Sequence, residues 1–195
     1  MGAGYPVNVM FNPPERVPRW MPLFAWLLAI PHYIVLYLVG IAAGICTIIA
    51  WFAGVITGRV PQGLLGFIAG YHRYQLRVTT YIYFMRGDYP SFSLNSEMID
   101  PRTDSMVAVD FAPTDRRSRL TIFFRGILVI PQIIVLYFVS IAAAVVTFIA
   151  WFAVIITGRW PSGMRDFVLG VLRWSTRLSA YWSLLTDEYP PFSTQ

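Results

Sequence analysis

Two arginine pairs, Arg73 with Arg77 and Arg173 with Arg177, carry the clearest chemical signal in this chain. On a helix a spacing of four places both guanidinium groups on one face. Their planar donor forks match phosphate and carboxylate oxygens. The chemistry they suggest is anion binding: first attraction to anionic lipid headgroups, with a dedicated phosphate or carboxylate clamp as the narrower alternative. Other reactive side chains are sparse. His32 follows Pro31, and its counterpart in a later copy of the motif is Gln132, as suits a polar residue that satisfies backbone freed by the proline. His72 has no second His, Cys or carboxylate at ligand spacing, so no metal is expected. Asp187 and Glu188 are adjacent and do not face each other on a helix. No Ser-His-Asp set, phosphate loop, dinucleotide fingerprint or paired intramembrane carboxylate occurs. The expectation is a protein that is not an enzyme and holds no cofactor.

The elements that must position these side chains occur twice. Ile34-Val35-Leu36-Tyr37 returns as Ile134-Val135-Leu136-Tyr137, and Thr57-Gly58-Arg59 returns as Thr157-Gly158-Arg159. Residues 7–95 align with 107–195 without a gap, and 39 of the 89 positions are identical. A fixed period sets the architecture, and this one is too long for a solenoid repeat. The organisation is a first repeat over 1–95, a polar linker over 96–106 and a second repeat over 107–195.

Composition names the solvent. Apolar residues make up 56% and charged residues 13%, with a mean hydropathy of +0.57, against about 25% charged in soluble domains. Trp20–Thr57 is 38 residues without Asp, Glu, Lys or Arg, and 126–157 is 32 more. Runs beyond 18 apolar residues are membrane candidates. The first run is too long and starts too late for a cleaved signal peptide, and it has an internal copy. The chain therefore reads as an integral membrane protein of mainly α class. All fifteen basic residues are Arg and the net charge is +5. Placed beside apolar runs, they suit headgroups and orientation better than nucleic acid. The single cysteine, Cys46, lies inside an apolar run as a small core residue.

Each repeat opens with alternation at Val7, Val9, Phe11 and at Val107, Val109, Phe111, which predicts a short strand outside the bilayer. A proline and arginines follow: Pro13, Arg16 and Arg19, then Pro113, Arg116, Arg117 and Arg119. The apolar run comes next, interrupted at Pro31 or Pro131 and stopped by Thr-Gly-Arg-x-Pro. The helical segments 63–85 and 163–185 carry the arginine pairs beside an apolar surface, as an amphipathic helix in the headgroup plane would. As one straight helix the first run would reach about 57 Å, against a hydrocarbon thickness of about 30 Å. Two arrangements remain. One is a helical hairpin turning near Gly40 or Ser140. The other is a leading in-plane helix, a break at Pro31 and one long span. Both copies carry like flanking charge and should share one orientation. That favours an even number of crossings, hence four in all, with termini and linker cytoplasmic and the chain multi-pass in the inner membrane. Arg125, early in the second run, would snorkel to the interface.

Gly40 and Gly44, echoed by Ser140 and Ala144, permit close helix packing, between chains or at the turn and internal seam. The seven tryptophans mostly fall near the predicted membrane boundaries, where indole is favoured.

The strings Arg19-Trp20-Met21-Pro22-Leu23-Phe24-Ala25-Trp26, Ile149-Ala150-Trp151-Phe152-Ala153 and Asp187-Glu188-Tyr189-Pro190-Pro191-Phe192 resemble the bacterial membrane family catalogued as domain of unknown function 4389. The resemblance covers both copies. It departs where Arg86-Gly87-Asp88 stands against Thr186-Asp187-Glu188, and it implies a membrane setting without a mechanism. The function expected is a non-enzymatic accessory or scaffold subunit that packs on other membrane protein subunits or on itself. The alternative is a membrane-shaping or anionic-lipid-binding protein, with membrane lipids as partners in either case.

Overall fold

Gly58 and Gly158 end the two apolar runs, as the sequence predicts. Both adopt left-handed φ, 71° and 69°, a conformation glycine takes without a side-chain clash. Their N–H groups close the last helical turn on Gly54 O and Val154 O, each at 2.8 Å. The computed structural model describes residues 5–112 and 118–194, so Pro113, Arg116 and Arg117 lie outside it. Within them run β1 (Val7–Phe11), α1 (Met21–Leu28), α2 (Ile30–Thr57), α3 (Gln62–Ile82), β2 (Val107–Phe111), α4 (Arg119–Thr157) and α5 (Ser162–Trp182).

The hairpin expectation fails. Gly40 lies inside α2 and Ser140 inside α4. An all-apolar stretch offers no side chains to satisfy a turn's free backbone groups, whereas a continuous helix satisfies them itself. The only interruption is Ala29, two residues before Pro31, where α1 hands over to α2. Proline lacks the N–H and crowds the carbonyl four residues back. In the second copy the helix runs through Pro131 for 39 residues, about 58 Å at 1.5 Å per residue. We call α1–α2 and α4 the two rods.

Strands β1 and β2 form one antiparallel pair, Val7↔Phe111, Val9↔Val109, Phe11↔Val107. Exchanging each residue for its counterpart one hundred positions away leaves this register unchanged, so a pseudo-two-fold axis passes through Val9 and Val109. Reciprocal contacts obey the same axis. The Trp51 indole donates to Ile122 O (3.1 Å) and the Trp151 indole to Pro22 O (2.9 Å). Each rod's C-terminal half therefore lies beside the other rod's start, and the rods run antiparallel.

Three layers result. The sheet and the tails after α3 and α5 form the first. Helices α3 and α5 form the second, and α3 buries residues around most of its circumference, from Leu65 to Tyr81. The rods form the third. Their buried positions form a narrow stripe that includes Ala29, His32, Ala43, Ala50 and Gly54 in the first rod, where His32 meets Tyr74 of α3 and Gly54 faces Ile122 of the other rod. Beyond that stripe they are bare. Ile34, Tyr37, Leu38, Ile56, Tyr137, Phe138 and Ile156 are all more than half exposed, while α3 contributes no exposed large apolar side chain and α5 only Trp182. Helices α2 and α4 are long and apolar enough to cross a membrane, and only 11% of the apolar window of each is buried. A core helix of a soluble protein would be mostly covered, and these two are left mostly uncovered by the rest of the chain.

The in-plane amphipathic assignment of α3 and α5 needs correction too. They are enclosed between sheet and rods, because their arginine faces are covered by the protein's own tails.

Candidate functional site

Arg73 shows what the arginine pairs hold. Its side chain is 2% exposed and reaches the loop between the copies. Nε donates to Val109 O (2.8 Å), Nη1 to Asn95 O (3.1 Å) and Nη2 to Met98 O (2.8 Å), and Asp100 sits 3.2 Å from Nε as an ion pair. The guanidinium also lies over the Phe111 ring at 5.2 Å. Arg77 donates to Ser91 Oγ (2.9 Å) and Ser93 O (2.8 Å). In the second copy Arg173 donates to Val9 O (3.2 Å) and Thr194 O (3.0 Å) and covers Phe11, and Arg177 covers Tyr5. Arg73 and Arg173 thus each grip the strand of the other copy.

At Arg73 and Arg77, which are buried, these contacts occupy the donors a headgroup would need; Arg173 and Arg177 are half-buried. Main-chain carbonyls concentrated by a tail folded over the helix accept the same hydrogen bonds that phosphate oxygens would, and they are already in place. Burial pulls the Arg73 guanidinium below its usual range, and Asp100 and Asp110 oppose this. The tail approaches closely because α3 carries glycines there. A Cβ on Gly66 would meet Ser96 O at 2.3 Å and one on Gly70 would meet Asn95 O at 2.8 Å.

His32 and Gln132 also turn inward rather than to the freed backbone beside them. His32 Nδ1 shares a 2.6 Å hydrogen bond with Tyr74 Oη, and the ring stacks on Phe92 at 4.1 Å. Gln132 accepts from the Trp174 indole (2.7 Å) and donates to Pro190 O (2.6 Å). Arg125 does not snorkel outward. It donates to Asp187 (2.5 Å) and to Tyr181 O, and lies over the Tyr181 ring at 4.4 Å. Asp187 also accepts from Ser118 N (2.9 Å), so it is a structural partner and not a free surface acid, whereas Glu188 is exposed. The tryptophans divide. Trp51, Trp151, Trp160 and Trp174 donate internal hydrogen bonds, while Trp20, Trp26 and Trp182 stay exposed.

The small residues open space instead of a tight seam. Gly40 receives the Tyr71 hydroxyl, 3.2 Å from where a Cβ would stand, but Gly44 has nothing within 4 Å. Both line an apolar cavity of about 650 Å³ between α2, α3 and the start of α4, walled by Trp51, Phe123 and Trp182. Ala144 borders its smaller pseudo-symmetric counterpart, about 380 Å³. Ser140 borders a polar cavity of about 220 Å³ between α3 and α5, with Gln75, Thr79, Ser175 and Ser179. His72 stands between the large cavity and the polar one.

The orientation of His72 follows from its partner. Ser183 Oγ donates its proton to Ser179 O (2.6 Å), so it accepts from His72 Nε2 (2.9 Å). Burial pulls this imidazole down to about 4, against a hydrogen bond with Gln75 that raises it. Sequence reasoning passed over Arg86 and the linker acids. Arg86 is buried and pairs with Asp88 and with Asp104 at 2.9 Å, and Asp104 in turn accepts from Val107 N (2.9 Å). Burial pushes the Asp88 carboxyl up, but the Arg86 hydrogen bond and charge outweigh this and hold it below its usual value. The available signal was the density of Asp and Ser in 88–105, which marks turns that need donors. Among the described residues no group of three or more His, Cys, Asp or Glu is placed to hold a metal.

A family model described as Domain of unknown function (DUF4389) matches residues 20–93 and again residues 119–194. No curated protein and no solved structure matches the chain.

Proposed function

The chain belongs to the DUF4389 family in both of its copies, and since that membership carries no activity, we propose a function from geometry. The protein is a non-enzymatic membrane accessory or scaffold subunit, seated in one leaflet by its two rods and offering its polar sheet layer to partners at the surface. The observation that carries this reading is the separation of a bare apolar rod layer from a polar layer whose buried charges are already occupied by the fold.

The seating in one leaflet is supported by two contacts taken together. Paired strands share one side of a bilayer, so the chain between β1 and β2 crosses an even number of times. If α2 crossed outward and α3 returned, the end of α2 and the start of α4 would lie on opposite sides. Trp51 and Ile122 are in contact there. Sending the rods straight across would also set the exposed sheet edge and linker, with Asn8, Glu97 and Arg102, at mid-bilayer depth, where open backbone is not tolerated. Rods that enter and leave on one side satisfy both contacts. The exposed Arg19, Arg59, Arg119 and Arg159 at all four rod ends then meet headgroups on a single face, the cytoplasmic one by charge bias.

Placement is tested with single cysteines at Asn8, Arg59, Ser105 and Tyr37 in a Cys46→Ala background. With an impermeant thiol reagent, the first three should label together, from the cytoplasmic side alone, and Tyr37 only after detergent. Labelling of Arg59 opposite to Asn8 would mean that α2 crosses and would overturn the placement.

The scaffold role is tested by purification in mild detergent, where the protein should comigrate with other membrane subunits or form a defined oligomer. A second reading, membrane shaping, is favoured by the one-sided rods, which add area to one leaflet only. A monomer without partners that narrows reconstituted vesicles would replace the first reading by the second.

A further inference from the structure

The two outward-opening cavities are copies of one site that have diverged. The smaller has Tyr83, Phe84 and Phe148 where the larger has Ser183, Leu184 and Ile48. At the position of Gly126 the first copy has Trp26, a residue that would fill the larger space. Polar equipment differs in the same direction. The larger cavity holds Tyr71 and His72, and the second copy has Val171 and Leu172 at those places. The wider space and the His72 and Tyr71 hydrogen-bonding groups thus stand together on one side of the axis.

The walls describe what fits. Trp51, Phe123 and Trp182 are flat, with the Trp51 and Phe123 ring centroids 6.4 Å apart and their planes inclined by 30°. The Tyr71 hydroxyl, which stands beside Gly40, makes no hydrogen bond among the described residues. It is a donor awaiting an acceptor. Nε of the buried Arg125 is likewise without a partner, while the charge of that side chain is already neutralised by Asp187. The site therefore favours an uncharged head that accepts hydrogen bonds. Gly44, Ile48, Phe123 and Trp182 at the mouth belong to the exposed apolar surface, so access is from the same medium that covers the rods. The volume lies in the range of small-molecule sites.

We infer that this cavity binds a membrane-soluble ring compound of the quinone class, its ring between Trp51 and Trp182 and a carbonyl accepting from Tyr71. Entry from hydrocarbon rests on the leaflet placement proposed above; the binding itself does not.

The test is a titration of purified protein in detergent with a decyl-substituted benzoquinone, read by tryptophan fluorescence, since Trp51 and Trp182 line the site. Wild type should show saturable quenching at one equivalent per chain. Gly44→Leu places a side chain into space empty within 4 Å and should weaken binding at least tenfold while melting at or above the wild-type temperature. Tyr71→Phe should cost about fivefold, the worth of one neutral hydrogen bond. Gly126→Leu blocks the opposite wall and serves if Gly44→Leu does not fold. Non-saturating quenching equal in wild type and both blocking variants would overturn the assignment. So would decanol competing as well as the quinone, which would mark a plain chain pocket. Because the measurement is made in micelles, its failure leaves the labelling pattern intact, and a failed labelling pattern leaves the titration intact.

Discussion

Arg73→Met should destabilise the protein by about 3–5 kcal/mol, the range for breaking a buried ion pair from one side. The substituted side chain fills similar space, so the loss is one of hydrogen bonds and charge. Val109 O, Asn95 O and Met98 O lose their donor, and Asp100, 8% exposed, keeps a negative charge without its cation. Each unsatisfied buried group carries its own desolvation cost of about 1–3 kcal/mol. Arg173→Met should cost half as much or less, because Arg173 is partly exposed and donates to Val9 O and Thr194 O with no carboxylate partner among the described residues. Denaturant unfolding of both variants in one detergent measures the difference. Equal costs, or a cost below about 1 kcal/mol for Arg73, would refute the clamp. A headgroup role predicts the reverse pattern: an intact fold with weakened binding to anionic vesicles.

Stability should fall as pH drops from about 6.5 towards 4, and His72 should account for roughly 2–3 kcal/mol of that fall. The folded protein holds the imidazole neutral at a value of about 4, whereas the unfolded chain titrates near 6.5. Between the two the unfolded state binds the extra proton, so acid favours unfolding. Above 6.5 neither state binds it, and below 4 both do, so the contribution is complete above the window and lost beneath it. His72→Leu supplies the control, since Leu172 occupies the same place in the second copy. The difference in unfolding free energy between wild type and variant should shrink or reverse between pH 7 and pH 4.5. A pH-independent difference would show that the ring titrates normally and is solvated.

The leucine at 172 and the methionine test at 73 also mark how far the sequence reaches. The duplication, the apolar runs, the Thr-Gly-Arg stops and the two short strands were legible because each is written in local pattern. A glycine after the last apolar turn, an alternation over five residues or a long uncharged run has one physical reading whatever packs against it. The course of the rods was harder. Gly40 and Ser140 allow a hairpin tip and Pro31 and Pro131 a break, but neither residue type alone says whether the chain turns back or continues. Continuation won because no neighbouring residue could satisfy the groups a turn would free.

The destination of Arg73 and Arg77 was not legible at all. Phosphate oxygens and main-chain carbonyls ask for the same donors at the same helical spacing, so one pattern serves both. Only the tertiary structure decided between them, by folding residues 91–100 across Gly66 and Gly70 onto the arginine face. The same holds for β1 and β2. Their sequences require a partner strand, and each found it in the other copy, where the two-fold axis lets one antiparallel pairing satisfy both. Local sequence determined which groups need covering; the arrangement of the two copies determined what covers them.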